Sequence, residues 1–149
     1  MQRADLANIL SDFLVPLGFK KKGNWWARNR NEINTLVDLQ KSQFGNQFYV
    51  NYGFVLNAVP LNGLRRHKYA RIGSSNTAAM LRIHNLLDLD SDITDDTRKA
   101  ELKRVIFRDL IPTVASVNSE TDVLNYIRKL RTMNGVPLVV KRHFGIETE

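Results

Sequence analysis

The stretch LVDLQKSQFGNQFYVNYGFVL, Leu36 to Leu56, carries two runs of alternating apolar and polar residues on either side of Phe44, Gly45 and Asn46. A period of two belongs to a strand with one buried and one wet face, and the glycine and asparagine between the runs mark a turn. The stretch therefore predicts an antiparallel hairpin. Phe48, Val50, Tyr52, Phe54 and Leu56 share the parity expected to be buried, while Gln47, Tyr49, Asn51 and Asn57 take the other. In the first arm, extended back to Ile33, the residues Ile33, Val37 and Leu39 oppose Asn34, Asp38 and Gln40.

Working outward, Gly23 and Asn24 turn the chain into a short strand from Trp25 to Asn29, and Asn29 to Glu32 make the turn into the next. Before it, Leu6, Ile9, Leu10, Phe13, Leu14 and Leu17 recur at helical spacing until Pro16 and Gly18 make continuation costly. On the other side Pro60, Asn62 and Gly63 end the long strand, and His67 to Ile72 reads as a shorter one. Consecutive strands joined by short turns predict an antiparallel meander of about four strands. After the polar loop from Gly73 to Thr77 the period changes. Met80, Leu81, Ile83, Leu86, Leu87 and Leu89 suit a helix within residues 78–89 better than a strand. Leu102, Val105, Ile106, Leu110, Val114 and Val117 form a helical stripe that Pro112 is expected to break. Ser119 with Asp122 three residues on predicts a capped helix that turns Val123, Ile127 and Leu130 inward and stops at Asn134 and Gly135. The chain has no internal repeat and no long linker. The expectation is one α+β domain over residues 1–149, its meander flanked by an N-terminal helix and C-terminal helices.

A chain of 149 residues has room for one core and buries roughly two thirds of its unfolded surface. It contains no cysteine, which excludes disulfides, thiolate nucleophiles, iron–sulfur ligation and cysteine-based zinc sites together. The opening MQRADLANIL carries Asp5 within its apolar pattern and reads as a helix, not a signal peptide. No apolar run approaches the ~20 residues of a membrane span, and a cytoplasmic protein without membrane contact is expected. The net charge of +7 is unevenly placed. Residues 1–75 hold 11 Lys and Arg against 4 Asp and Glu, whereas residues 76–149 hold 11 against 11. A field of one sign on one region attracts polyanions or an acidic protein surface.

No motif for catalysis emerges. Asp88, Asp90 and Asp92 begin like a calcium loop, but the sixth position, which needs glycine, is Ile93, and the twelfth, which needs Glu, is Lys99. These carboxylates read instead as a solvated loop whose last members, Asp95 and Asp96 beside Thr94, favour a helix N-terminus. His67, His84 and His143 never fall three or four apart, so they build no helical metal site. Gly73, Ser74 and Ser75 lack the second glycine of a nucleophile elbow, and no glycine pattern cradles phosphate. No catalytic residue, metal or cofactor is expected. What remains is cationic and aromatic: Lys20, Lys21, Lys22, Trp25, Trp26, Arg28 and Arg30, then Arg65, Arg66, Lys68 and Arg71. Trp25 and Trp26 point to opposite faces of a strand, so one of them belongs to the core. The candidate partner-binding residues are Lys20, Lys21, Lys22, Trp26, Arg28, Arg30, Arg65, Arg66 and Lys68.

Three blocks carry a family likeness: LGFKKKGNWWARN from Leu17, LQKSQFGNQFYVNYG from Leu39 and HKYARIG from His67. In content and order they resemble the bacterial domain-of-unknown-function family 4304, and Leu110, Ile111 and Pro112 resemble a later helix of that family. The resemblance implies an antiparallel sheet flanked by helices in a small bacterial cytoplasmic protein, with no catalytic residues to carry over. It also implies the company of small proteins found beside toxin genes. The functional expectation is a non-enzymatic module, in its most specific form an immunity-type protein, that binds a protein partner with an acidic surface. The alternatives are a basic nucleic-acid binder and an enzyme on an anionic small molecule.

Overall fold

Each strand that alternation predicts is formed, and the sheet gains one more. The computed structural model describes residues 1–146, so the last three residues of the expected 1–149 domain lie outside the described residues. Five strands lie in chain order in one antiparallel sheet: β1 (Lys20–Lys22), β2 (Trp25–Asn29), β3 (Ile33–Lys41), β4 (Phe48–Leu56) and β5 (Lys68–Arg71). β1 is the strand that alternation does not reveal. Three lysines have no apolar period to read, and the strand exists by pairing with β2 across the Gly23 turn, where φ is +61°.

The register of the central hairpin, from Ile33 opposite Leu56 to Lys41 opposite Phe48, fixes which side chains share a face. Phe48, Val50, Tyr52, Phe54 and Leu56 are buried on the same side as Ile33, Val37, Leu39 and Trp26. That side meets the helices. These are α1 (Arg3–Leu14, continued by a 3-10 turn Val15–Leu17), α2 (Thr77–Leu86), α3 (Asp95–Asp109), α4 (Ile111–Ser116), α5 (Glu120–Arg128) and α6 (Leu138–Phe144). Buried residues of α1 to α4 join Trp26, Val37, Leu39, Phe48, Val50 and Tyr52 in one apolar cluster. Those of α5 and α6 join Ile33, Phe54 and Leu56 in a second, and Tyr126 packs against both. A fully buried Leu10 or Phe54 contributes about 1.5–3 kcal/mol, so this face carries most of the hydrophobic stabilisation. All six helices of the described residues thus lie on one side of the sheet, and the result is the α+β fold expected from the sequence.

The helical expectations hold with two corrections. Residues 77–86 are helical, capped by Asn76 Oδ1, which accepts from Ala79 N at 3.0 Å. Pro112 does break the long stripe, separating α3 from α4. Ser119 Oγ accepts from Asp122 N at 3.1 Å, and the Asp122 carboxylate accepts from Asn118 N at 2.9 Å. However, α5 ends at Arg128, before Asn134, and α6 has no counterpart in the sequence reading. Its seven residues bury only Val140, too little for a stripe to show.

Buried polar groups fasten two loops. The Arg98 side chain, 1% exposed, donates to the carbonyls of Asn85, Leu86, Asp88, Ser91 and Ile93 and to Ser91 Oγ at 2.7–3.4 Å. Asp88 Oδ1 accepts from Asp90 N, and Asp90 accepts from Asn46, so the acidic run is occupied in shaping its own loop. His67 lies buried just before β5: its Nδ1 accepts from Leu56 N at 2.8 Å, which leaves Nε2 to donate to the Pro60 carbonyl at 3.1 Å. That bridge ties the 57–67 loop to the end of β4. It also fixes where Arg66 leaves the chain.

Candidate functional site

Opposite the helices, the sheet presents a face built from the polar parity of every strand. The pairing aligns Lys22, Trp25, Asp38, Asn51 and Arg71 in one row across all five strands. The adjacent row runs Lys20, Ala27, Leu36, Gly53 and Tyr69, and Gln40 faces Tyr49 beyond Asn51. Neither apolar cluster includes a side chain from this face. α2 reaches the edge of this face, where the His84 ring lies 6.4 Å from that of Tyr49 and the His84 carbonyl accepts from Gln47 Nε2 at 3.1 Å.

Two arginines lie flat on this face. The Arg66 guanidinium sits 5.0 Å from the Trp25 ring and 4.5 Å from the Tyr69 ring, and donates to Asp38 Oδ1 at 2.7 Å. Its stem crosses Gly53, where a Cβ would meet Arg66 Cδ at 2.6 Å and the Lys68 carbonyl at 2.2 Å. Only glycine admits both. The Arg71 guanidinium lies 4.0 Å from the Tyr49 ring, its Nε donating to Asn51 Oδ1 at 2.9 Å and its Nη2 to Gln40 Oε1 at 3.1 Å. Asn51 Nδ2 completes the chain by donating to Asp38 Oδ2 at 3.0 Å and Gln40 Oε1 at 2.9 Å. Stacking of this kind adds about 0.5–2 kcal/mol per pair, the upper end when desolvated. Asn51 is 1% exposed although no helix among the described residues covers it. The arginines themselves form its lid.

The sequence-predicted residues divide sharply. Lys20 and Lys22 are exposed at the edge of this face, and Arg65 is exposed in the loop before Arg66. Arg66 joins the face but keeps only 8% of its side chain exposed, its charge paired to Asp38. Lys21 has the opposite parity, with Nζ 5.7 Å from the Trp26 ring and bonded to the Gly23 carbonyl. Arg30 is exposed in the β2–β3 turn, at the far end of β2 from Trp25. Three residues leave the predicted surface altogether. Trp26 is fully buried and donates to Ser11 Oγ at 2.9 Å; the tryptophan on the open face is Trp25. Arg28 is buried because its parity matches Trp26: it donates to the carbonyls of Leu17 and Val114 and to Asn118 Oδ1, over the Phe19 ring. Burial, then the nearby charge of Arg30, lowers its pKa. Lys68 points to the helix side, opposite Phe54, and burial lowers its pKa too.

The face also depends on Trp25 and Arg71, which belong to the charge clusters but not to the predicted binding set, and on Asp38, Gln40, Tyr49, Asn51 and Tyr69, which those clusters did not mark. Their signal was the wet parity of the hairpin, which places Asp38 and Asn51 across from one another once the register is known. Elsewhere, an open cleft of about 560 Å³ between α4 and α5 is lined by Pro112, Ser116, Asp122, Asn125, Tyr126 and Lys129. Its carboxylate, Asp122, serves as the helix cap already described, and burial together with a hydrogen bond to Tyr52 raises the pKa of the Tyr126 phenol.

Compared with known protein families, residues 10–116 match the one described as a domain of unknown function, DUF4304. The chain belongs to the DUF4304 family. The matched span runs from Leu10 in α1 to the end of α4, so it contains all five strands and every residue of the open face. In this DUF4304 chain, α5 and α6 lie beyond the matched span. No curated protein and no solved structure matches the chain.

Proposed function

We propose that the chain is a non-enzymatic protein-binding module whose open sheet face docks a partner protein with an acidic surface. The observation that carries this reading is the pre-ordered set of Trp25, Arg66, Tyr69, Tyr49 and Arg71 on a face that no helix among the described residues covers. Trp, Tyr and Arg are the residue types that dominate interface energetics, and here their rotamers are held before any partner arrives. Charge supports the choice of partner. On the outward positions of the strands, Lys20, Lys22 and Arg71 with Arg66 stand against the single carboxylate of Asp38. The ring faces speak for protein over single-stranded nucleic acid, because base stacking needs an open ring and guanidinium groups already lie against Trp25, Tyr49 and Tyr69. A cytoplasmic bacterial protein of immunity type, capping a toxin with this face, is the setting we propose.

The test is quantitative binding to the product of the neighbouring gene, or to a partner recovered by crosslinking through the face. Trp25→Ala and Tyr69→Ala are expected to weaken that complex by tenfold or more, whereas Phe107→Ser on the helix side leaves it unchanged. Equal affinity of all three variants would remove the face from the interface. Tight, steeply salt-dependent binding of an oligonucleotide would replace the protein partner with nucleic acid.

A further inference from the structure

Resting on the docking face just described, we infer that it contains one built receptor for a partner carboxylate, formed by Arg71 and Gln40, and that Arg66 takes no part in it. Both arginines are on the face, but their hydrogen-bonding states differ. Arg66 gives Nη1 to Asp38, lies against the rings of Trp25 and Tyr69, and is almost sealed from water. A second carboxylate approaching it meets the charge of Asp38. Arg71 is exposed, and its committed nitrogens go to neutral oxygens, Nε to Asn51 and Nη2 to Gln40 and, at 3.5 Å, to the Tyr69 hydroxyl. Its charge has no carboxylate partner among the described residues, and Nη1 has no acceptor there.

Gln40 supplies the second donor. Its Oε1 accepts from both Asn51 Nδ2 and Arg71 Nη2, which determines the orientation of the amide: reversing it would set its NH2 against two donors. The Gln40 Nε2 is therefore a donor, on an exposed residue, with no acceptor among the described residues. Arg71 Nη1 and Gln40 Nε2 belong to groups joined through Nη2 and Oε1 by a 3.1 Å bond, with the guanidinium over Tyr49, so two donors without acceptors lie on adjoining groups. Two oxygens of one carboxylate match them. The face thus divides into a neutralised aromatic half around Arg66 and a cationic half around Arg71, and an Asp or Glu of the partner is read only by the second.

The receptor is testable without the partner. A short oligoglutamate peptide and an oligothymidylate of matched charge are titrated into isotope-labelled protein, following the Nε–H signals of Arg66 and Arg71 and the side-chain amide of Gln40. Oligoglutamate is expected to move Arg71 and Gln40 and to leave Arg66 in place. Gln40→Glu keeps the oxygen that accepts both bonds while replacing the free NH2 with a second oxygen, so it should fold as before and weaken oligoglutamate binding at least about tenfold. Arg71→Lys keeps the charge but not the fork, and should also lose most of the binding. Unchanged affinity in Gln40→Glu would overturn the receptor. Shifts confined to Arg66 would overturn it while leaving the docking face standing. Silence of the whole face, or stronger uptake of oligothymidylate at Arg71, would overturn both.

Discussion

Replacing Asp38 with Asn alters one atom at the centre of the five-strand row, and the hydrogen-bond network dictates the consequence. The carboxylate accepts from Arg66 at one oxygen and from Asn51 at the other. Because it only accepts, it forces the amide nitrogen of Asn51 toward itself, which turns Asn51 Oδ1 toward Arg71 Nε. An asparagine at position 38 has one oxygen. If that oxygen serves Arg66, its NH2 opposes the NH2 of Asn51; if Asn51 flips in response, it opposes Arg71 instead. One donor is stranded either way. A charge-assisted bond reduced to a neutral one costs about 1 kcal/mol, and a stranded buried donor about 1–3 kcal/mol. Both side chains retain roughly a tenth of their exposure (8% and 10%), so water relieves part of this. The net expectation is a loss of about 2–3 kcal/mol, a large fraction of the 5–15 kcal/mol of a typical domain and equivalent to a fall of about 4–12 °C in Tm. Urea denaturation monitored by circular dichroism measures it, and a cycle with Arg66→Met should show coupling of about 1 kcal/mol or more. A loss under about 0.5 kcal/mol, or no coupling, would refute the claim that this carboxylate orders the face.

Arg98→Met should cost about 3 kcal/mol or more by leaving buried carbonyls without a donor, and should speed amide exchange across residues 85–93; Arg98→Lys is not expected to rescue it, since one ammonium does not span those acceptors. Unaltered exchange in that loop would contradict the role given to Arg98. Gly53→Ala places a Cβ against the Lys68 carbonyl and the Arg66 stem, so β5 should loosen at a cost of about 1–3 kcal/mol, seen as faster exchange at Tyr69 and Arg71; wild-type protection there counts against the close approach. Replacing Lys20, Lys22 and Arg65 with Gln should slow partner association and flatten its salt dependence without lowering Tm, because none of the three is buried. Arg66 does not belong in that set, since its loss would disturb folding as well as charge.

The apolar half of this architecture was readable because burial repeats. Phe48 to Leu56 place a large apolar residue at every second position, and a one-residue slip against β3 would turn Phe48, Val50, Tyr52, Phe54 and Leu56 away from the core together. The same logic located the capped helix after Ser119 and the break at Pro112. It failed where an element is held by something other than its own pattern. β1 is three lysines recruited by β2, and α6 is a short segment in which Val140 is the one fully buried residue. Arg28 and Trp26 show the limit of charge and composition as guides. Both sit beside lysines in the chain, yet the period of two sends them into the core with Val37 and Tyr52, where backbone carbonyls and Ser11 take the place of solvent.

The open face is held together by a different physics. An uncovered sheet normally leaves its polar side chains to water, but Asn51 is 1% exposed and Asp38 7% exposed with no helix of the described residues above them. What covers them is the pair of guanidinium planes, each anchored at its edge by a hydrogen bond and underneath by an aromatic ring. A long side chain immobilised on binding costs about 0.5–1.5 kcal/mol, and here Arg66 and Arg71 bear that cost during folding. The partner then meets fixed rings and donors. Affinity gained that way is lost when the order is lost, so variants that loosen Asp38, Asn51 or Gly53 should weaken the complex even though Asp38 and Asn51 are too buried, and Gly53 too small, to contact the partner directly.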